Sequence, residues 1–200
     1  MRLAFIDVVY GYDAARPESD QPLGGTTSAI CYMARELSRV GISCTLVNTR
    51  QGESNAHGIL ALPLTALAEI CTDPSYTAYI FCGRWAKELV ESIRQLTRAP
   101  LIAWMHESSF ENTNVDPLPQ FDGVVYVSEW QKRINQPKAH AHWQQTVIRN
   151  AMHPCFVDLF GTDEAVMTAK TQPPVLLYAG DFARGAWHIA PLLDQLLPLD

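Results

Sequence analysis

The chain lacks an excess of positive charge: 15 Lys and Arg stand against 21 Asp and Glu, a formal net charge of −6. The basic residues are scattered, so the electrostatic footprint that nucleic acid demands is not there, and no nucleic-acid partner is expected. Long apolar runs are also missing. None approaches the ~18 residues that span a bilayer, and Asp7 interrupts the N-terminal apolar stretch too early for a secretory signal. Cysteine is sparse and odd in number: Cys31, Cys44, Cys71, Cys82 and Cys155 make five. No pair has zinc or redox-motif spacing. Apolar neighbours such as Ile30 and Phe81 predict buried, reduced thiols and a cytoplasmic setting. No His, Cys and carboxylate cluster has metal-ligand spacing, so neither metal nor cofactor is expected. A G-x-S-x-G elbow, a G-x-G-x-x-G fingerprint close behind the first strand and a phosphate-loop lysine are all absent. That disfavours a serine hydrolase, a nicotinamide enzyme and a P-loop nucleotide enzyme.

What is present is core-forming material: 48% of the 200 residues are hydrophobic and 18% charged, an ordinary globular balance. Leu3–Tyr10 is a nearly continuous apolar run of strand length, the habit of a parallel strand covered on both faces. After a Pro- and Gly-containing loop, Ile30, Met33, Ala34, Leu37 and Val40 recur at helical spacing, and Gly41 stands where a helix C-cap falls. The alternation goes on. Strands are predicted at Ile42–Val47, Gly58–Leu62, Tyr76–Cys82, Leu101–Met105, Gly123–Val127 and Thr146–Ile148. Helices are predicted around Leu64–Ile70, over Trp85–Leu96 with Trp85, Leu89, Ile93 and Leu96 inward, and from Ser128. Strands alternating with helices indicate an α/β, Rossmann-like, doubly wound and mostly parallel sheet.

Residues 160–174, polar and ending in Pro173-Pro174, read as a linker. A strand at Val175–Ala179 and a helix at Ile189–Leu197 follow. The division expected is a domain over 1–160, a linker over 161–173, and the beginning of a second domain over 174–200. The alternative is that the last pair is an edge unit of the first sheet.

In such a sheet ligands bind beyond the carboxyl ends of the strands, which singles out a set of loops. Gly24-Gly25-Thr26-Thr27 opens the first helix; glycines admit a ligand close to the backbone, and free amides at a helix start favour an anion. Glycine pairs before helices also arise without function. His106-Glu107 directly follows a buried strand, where acid–base and hydrogen-bonding groups project into the crevice; a packed strand-end histidine is the alternative. Ser128 opens the Ser-Glu-Trp-Gln-Lys segment and is a natural N-cap. Asn150 sits in a polar turn, and Arg184 follows Gly180-Asp181 in a turn where a cation can face a diphosphate.

Each signal is short, but their succession is specific: a glycine pair before the first helix, a strand ending in His, a Val-Ser-Glu-Trp-Gln-Lys strand end, an Ile-x-Asn turn, and Leu-Leu-Tyr-Ala-Gly after a linker. The order resembles retaining glycosyltransferases of the GT-B fold, of the glycosyltransferase family 4 type, over the whole of residues 1–200. The resemblance implies two Rossmann-like domains, acceptor side first and nucleotide side second. It also implies a metal-free transfer of sugar, with retention, from a nucleotide-sugar donor to a sugar, lipid-linked or small-molecule acceptor. In that family's terms Gly24, Gly25 and Thr26 belong to the glycine loop facing donor phosphates and acceptor, and His106 is the histidine near the transferred sugar. Glu107 and Ser128 lie beside it, Asn150 leads to the interdomain cleft, and Arg184 contacts the diphosphate. The acceptor side would be formed by the loops at 11–25 and 107–118. Lipid-linked acceptors would place the intact enzyme peripherally at a membrane.

Asp181 stands where the family usually has a basic residue, and the glutamate pair that holds the donor would lie beyond residue 200. The expectation is therefore a front half that is inactive alone and completed by the C-terminal domain of the same enzyme. The competing reading, from another class, is a non-catalytic Rossmann-like binding or interaction module.

Overall fold

Apolar runs become strands buried on both faces. The computed structural model describes residues 1–13, 24–107 and 118–150. In chain order these form β1 (Arg2–Ile6), α1 (Gly25–Arg39), β2 (Ser43–Asn48), β3 (Ser54–Ala56), β4 (Ile59–Pro63), α2 (Leu67–Thr72) and β5 (Ala78–Cys82). There follow α3 (Lys87–Leu96), β6 (Leu101–Met105), β7 (Gly123–Tyr126), α4 (Glu129–Asn135) and β8 (Gln144–Val147). The eight strands make one sheet in the order β3-β4-β2-β1-β5-β6-β7-β8. Every pairing is parallel except β3 with β4. This is the expected α/β, Rossmann-like, doubly wound sheet.

The order reverses at β1. The chain runs outward to β2 and β4, then crosses back to place β5 on the other side of β1. A crevice therefore opens between the carboxyl ends of β1 and β5, the topological switch point. Each face of the sheet carries its own core. Phe5, Ile30, Cys31, Ala34, Leu46, Cys82 and Trp104 pack on the α1 face. Ile6, Ile70, Phe81, Val90, Ile93, Met105, Phe121 and Tyr126 pack on the other, with α2 and α3.

Helix α1 ends as its glycine predicts. Gly41 has φ +83; its N–H donates to Ser38 O and that of Ile42 to Leu37 O, each at 3.0 Å. These are the paired bonds of a Schellman cap. Val40, expected inward, is 74% exposed, because it is the capping residue and has left the helical stripe. Leu96, also expected inward, is 45% exposed at the last turn of α3. Trp85 is buried as expected, but it precedes α3 and meets the Phe121 ring edge-on at 5.0 Å between centroids.

Strand β1 stops at Ile6, short of the predicted Tyr10, because Asp7 turns the chain: its Oδ1 accepts from Val9 N at 2.9 Å and Tyr10 N at 3.2 Å. Strand β3 was not foreseen. It joins β4 through His57 (φ 54) and Gly58 (φ 74), a two-residue turn with both residues left-handed, as tight hairpins require. The expected linker, the strand at 175–179 and the helix at 189–197 lie outside the described residues. Among the described residues no helix is long and apolar enough to cross a membrane.

Candidate functional site at the carboxyl edge of the sheet

Because β1, β5, β6, β7 and β8 run parallel, whatever follows each of them lies on one edge of the sheet. The start of α1, Gly83, His106, Glu107, Ser128 and Asn150 therefore share that edge. The sheet order ranks them: β6 lies two strands from β1, and β8 two strands further. At the usual strand spacing Asn150 is displaced laterally by roughly 10 Å from the strand that carries His106. Asn150 is exposed. Arg184 lies outside the described residues, as do 14–23 and 108–117 of the loops expected on the acceptor side.

Gly24 caps α1 with φ −62 and no side-chain bond. Neither Gly24 nor Gly25 has a left-handed φ, and a Cβ added at either would meet nothing within 4 Å. Neither backbone conformation nor packing in the described protein thus demands glycine here. Gly83 is different. It follows β5 with φ +74, and its added Cβ would come within 3.3 Å of Thr26 Cγ2. That contact brings the start of α1 against the end of β5, at the switch point.

His106 leaves β6 onto the α1 face and packs its ring on Trp104, 4.6 Å between centroids. Burial pushes its pKa down from 6.5 to about 4, against the opposing charge of Glu107. The imidazole is therefore neutral at pH 7, with one ring nitrogen donating and the other accepting. Its Nε2 is buried and has no hydrogen-bond partner among the described residues. Glu107, just after β6, pairs with Arg84, just after the neighbouring β5, Nε to Oε1 at 3.1 Å. The guanidinium is more than half exposed, so this pair contributes little stability.

Gln131, which the sequence reading did not single out, holds His106 in place. Its buried amide in α4 donates from Nε2 to Met105 O at 3.2 Å and to Glu107 O, and its Oε1 accepts from Val127 N at 2.7 Å. The carbonyls on both sides of His106 are thereby tied to the end of β7. Ser128 is the N-cap of α4, accepting from Gln131 N at 3.0 Å, so one oxygen orients the helix that carries the clamp. The sequence signal was available: a glutamine three residues after a serine N-cap sits in the first turn, facing the strand end that precedes it.

Asp7 was also missed as a site residue. It is 2% exposed, and burial raises its pKa, opposed by hydrogen bonding to Val9, Tyr10 and Tyr12. Tyr12, Cys31 and Cys82 all respond to its charge, which places the carboxylate on the α1 face. A lone carboxylate ending an apolar strand was the visible clue.

A separate hollow of about 570 Å³ lies beside α2, lined among others by Arg2, Glu69, Asp73 and Tyr76. Its cation is engaged by the protein: Arg2 lies 4.2 Å over the Tyr76 ring and bonds Asp73 and Ser75, each at 3.2 Å. The uncommitted polar atoms of His106 and Asp7 are at the carboxyl edge instead. No group of three or more His, Cys, Asp or Glu among the described residues is arranged to hold a metal ion. No protein family matches the chain, and no curated protein matches it.

Proposed function

We propose that this chain is the N-terminal, acceptor-side part of a retaining GT-B glycosyltransferase of the glycosyltransferase family 4 type. Such an enzyme moves a hexose from a nucleotide-sugar donor to an acceptor. The observation that carries the reading is His106: a neutral imidazole at a parallel strand end, clamped on both sides by Gln131, with a buried Nε2 that no described residue satisfies. A neutral donor–acceptor suits a sugar hydroxyl better than it suits a diphosphate. The glycine start of α1, which neither packing nor conformation explains, supports close approach of a ligand to the same crevice. In this reading the nucleotide belongs to a donor-binding domain of the same enzyme, and the chain alone binds nucleotide weakly. The four described cysteines are buried free thiols, which supports a cytoplasmic enzyme.

The test offers free hexoses and nucleotide hexoses to the 200-residue chain and reads contact by saturation-transfer NMR. Saturation of sugar protons that His106→Ala abolishes is the expected outcome. Absence of saturation for every sugar, or saturation indifferent to His106→Ala, overturns the reading.

A further inference from the structure

Interior polar atoms almost always find partners. At the carboxyl edge three do not: Asp7 Oδ2, Trp104 Nε1 and His106 Nε2 are buried and have no hydrogen bond among the described residues. Asp7 and Trp104 are 2% and 4% exposed. Sheet register puts the residues that carry them at the carboxyl ends of β1 and β6, on one face and with only β5 between. Ile6 stands opposite Phe81, so Asp7 comes next to Cys82, and Cys82 stands opposite Trp104. The small Cys82 thiol lets the indole lie across β5, where its ring centroid comes 6.3 Å from that of Phe5 on β1. On its other side the indole carries His106 at 4.6 Å. Trp104 therefore bridges the end of β1 to the end of β6, on the face that holds Asp7.

The chemistry of the three atoms selects their occupant. Asp7 Oδ2 only accepts when ionised, Trp104 Nε1 only donates, and a neutral His106 nitrogen does one or the other. A phosphate or carboxylate is repelled by Asp7. An ammonium has no lone pair for Trp104. A hydroxyl donates and accepts at once, and adjacent hydroxyls on a rigid ring answer all three atoms. We propose that Asp7 Oδ2 and Trp104 Nε1, together with His106 Nε2, form a subsite that binds the hydroxyls along one edge of a sugar ring. The proposal rests on the sugar-site reading given above and adds Asp7 and Trp104 to it as specificity-determining residues. Asp7 Oδ1 has a separate structural duty, accepting from Val9 and Tyr10 N–H, and the Tyr12 side chain lies close enough to help hold the carboxyl's pKa down. Oδ2, which makes no hydrogen bond among the described residues, is the oxygen assigned to the ligand.

That division makes the test clean. Asp7→Asn keeps an oxygen for the two turn amides and replaces Oδ2 with a donor. Trp104→Phe keeps a ring against Phe5 and His106 and removes only the indole N–H with part of the ring. The 200-residue chain and both variants are titrated with glucose, galactose, mannose and their monodeoxy derivatives, with thermal melting as the fold control. Expected is a loss of hexose affinity of roughly tenfold or more in each folded variant, the scale of one buried hydrogen bond to a charged or polar partner. One monodeoxy sugar that the wild type discriminates against should be bound by Asp7→Asn as well as its parent, because the lost hydroxyl no longer has an acceptor to satisfy. Equal hexose affinity in wild type and both variants overturns the subsite, leaves the sugar-site reading standing, and assigns the three atoms to buried water. Failure of the wild type to bind any hexose overturns both.

Discussion

Replacing Gln131 with Leu keeps the side chain's bulk and removes its polar atoms, which isolates the worth of the clamp. Three main-chain groups lose their partner: Met105 O, Glu107 O and Val127 N. Met105 is fully buried, so its carbonyl would be stranded away from water. The Val127 amide is part-buried, and Glu107 stands at the rim, where water can replace the amide. Counting two stranded groups at ~1–2 kcal/mol each and one largely rescued gives a destabilisation of about 2–4 kcal/mol. For a domain of this size that corresponds to a fall in Tm on the order of 5–15 °C. Urea titration followed by circular dichroism measures it. Gln131→Glu supplies the control. An ionised carboxylate accepts from Val127 N but repels both carbonyls, so the variant should be at least as unstable as Gln131→Leu at pH 7. Its protonation is favoured in the folded state, so the deficit should shrink as pH falls. A loss below about 1 kcal/mol in Gln131→Leu, which is within the range of an ordinary exposed substitution, would refute the clamp.

Protonation of His106 should cost stability in a defined window. Its folded pKa of about 4 lies below the ordinary 6.5, so from 6.5 down to about 4 the unfolded chain binds a proton that the folded chain refuses. His106→Gln should therefore lose less stability than wild type over that interval, and the two should run parallel above it; the imidazole signals in NMR should titrate near 4 rather than near 6.5. Gly25→Ala, in the first turn of α1 with open space around it, should raise stability by roughly 0.5 kcal/mol while removing sugar contact. A fall in stability would show instead that the glycine serves the fold. Gly58→Ala should cost about 1–2 kcal/mol, since φ +74 is left-handed and the new methyl would meet Ser38 Oγ at 3.1 Å; an unchanged urea midpoint would contradict the hairpin geometry.

Most of the sheet was legible because a strand buried on both faces has to be written in continuous apolar residues. β5, β6 and β7, expected at Tyr76–Cys82, Leu101–Met105 and Gly123–Val127, stand at Ala78–Cys82, Leu101–Met105 and Gly123–Tyr126. The expected start of β8 was late, for a related reason. Gln144 and Gln145 are polar, yet β8 pairs with only one described strand and its side chains alternate between exposed and half-buried, so polar residues are tolerated there. β3 escaped notice because Ser54, Asn55 and Ala56 carry no strand preference at all. Its pairing comes from the His57-Gly58 turn, whose two left-handed residues fold the chain back whatever precedes them. The ends of the helices were misjudged where periodicity runs past the last turn, as at Val40 and Leu96.

The site divides along a different line. His106 and the glycine start of α1 could be found because a strand end and a helix start are both visible in one dimension. Asp7 and Gln131 left one-dimensional clues, a carboxylate ending an apolar strand and a glutamine in the first turn after a serine cap, and Trp104 left none; what gives all three their place is a relation between strands. In sequence Trp104 is one more apolar residue in β6. Only the register Asp7–Cys82–Trp104 sets the indole and the buried carboxylate on one face, with β5 between them. The bonds of Gln131 reach back 24 residues to Glu107 and 26 to Met105, and they form only because β6 and β7 lie side by side. A crevice at a switch point is built from chain segments far apart in order, so its partners are specified by pairing. The residues that sequence reading recovers are those whose backbone position alone aims them at the crevice. Those whose role depends on an unmet hydrogen bond, or on a bond to another strand's main chain, become visible only when every buried polar atom has been traced to its partner.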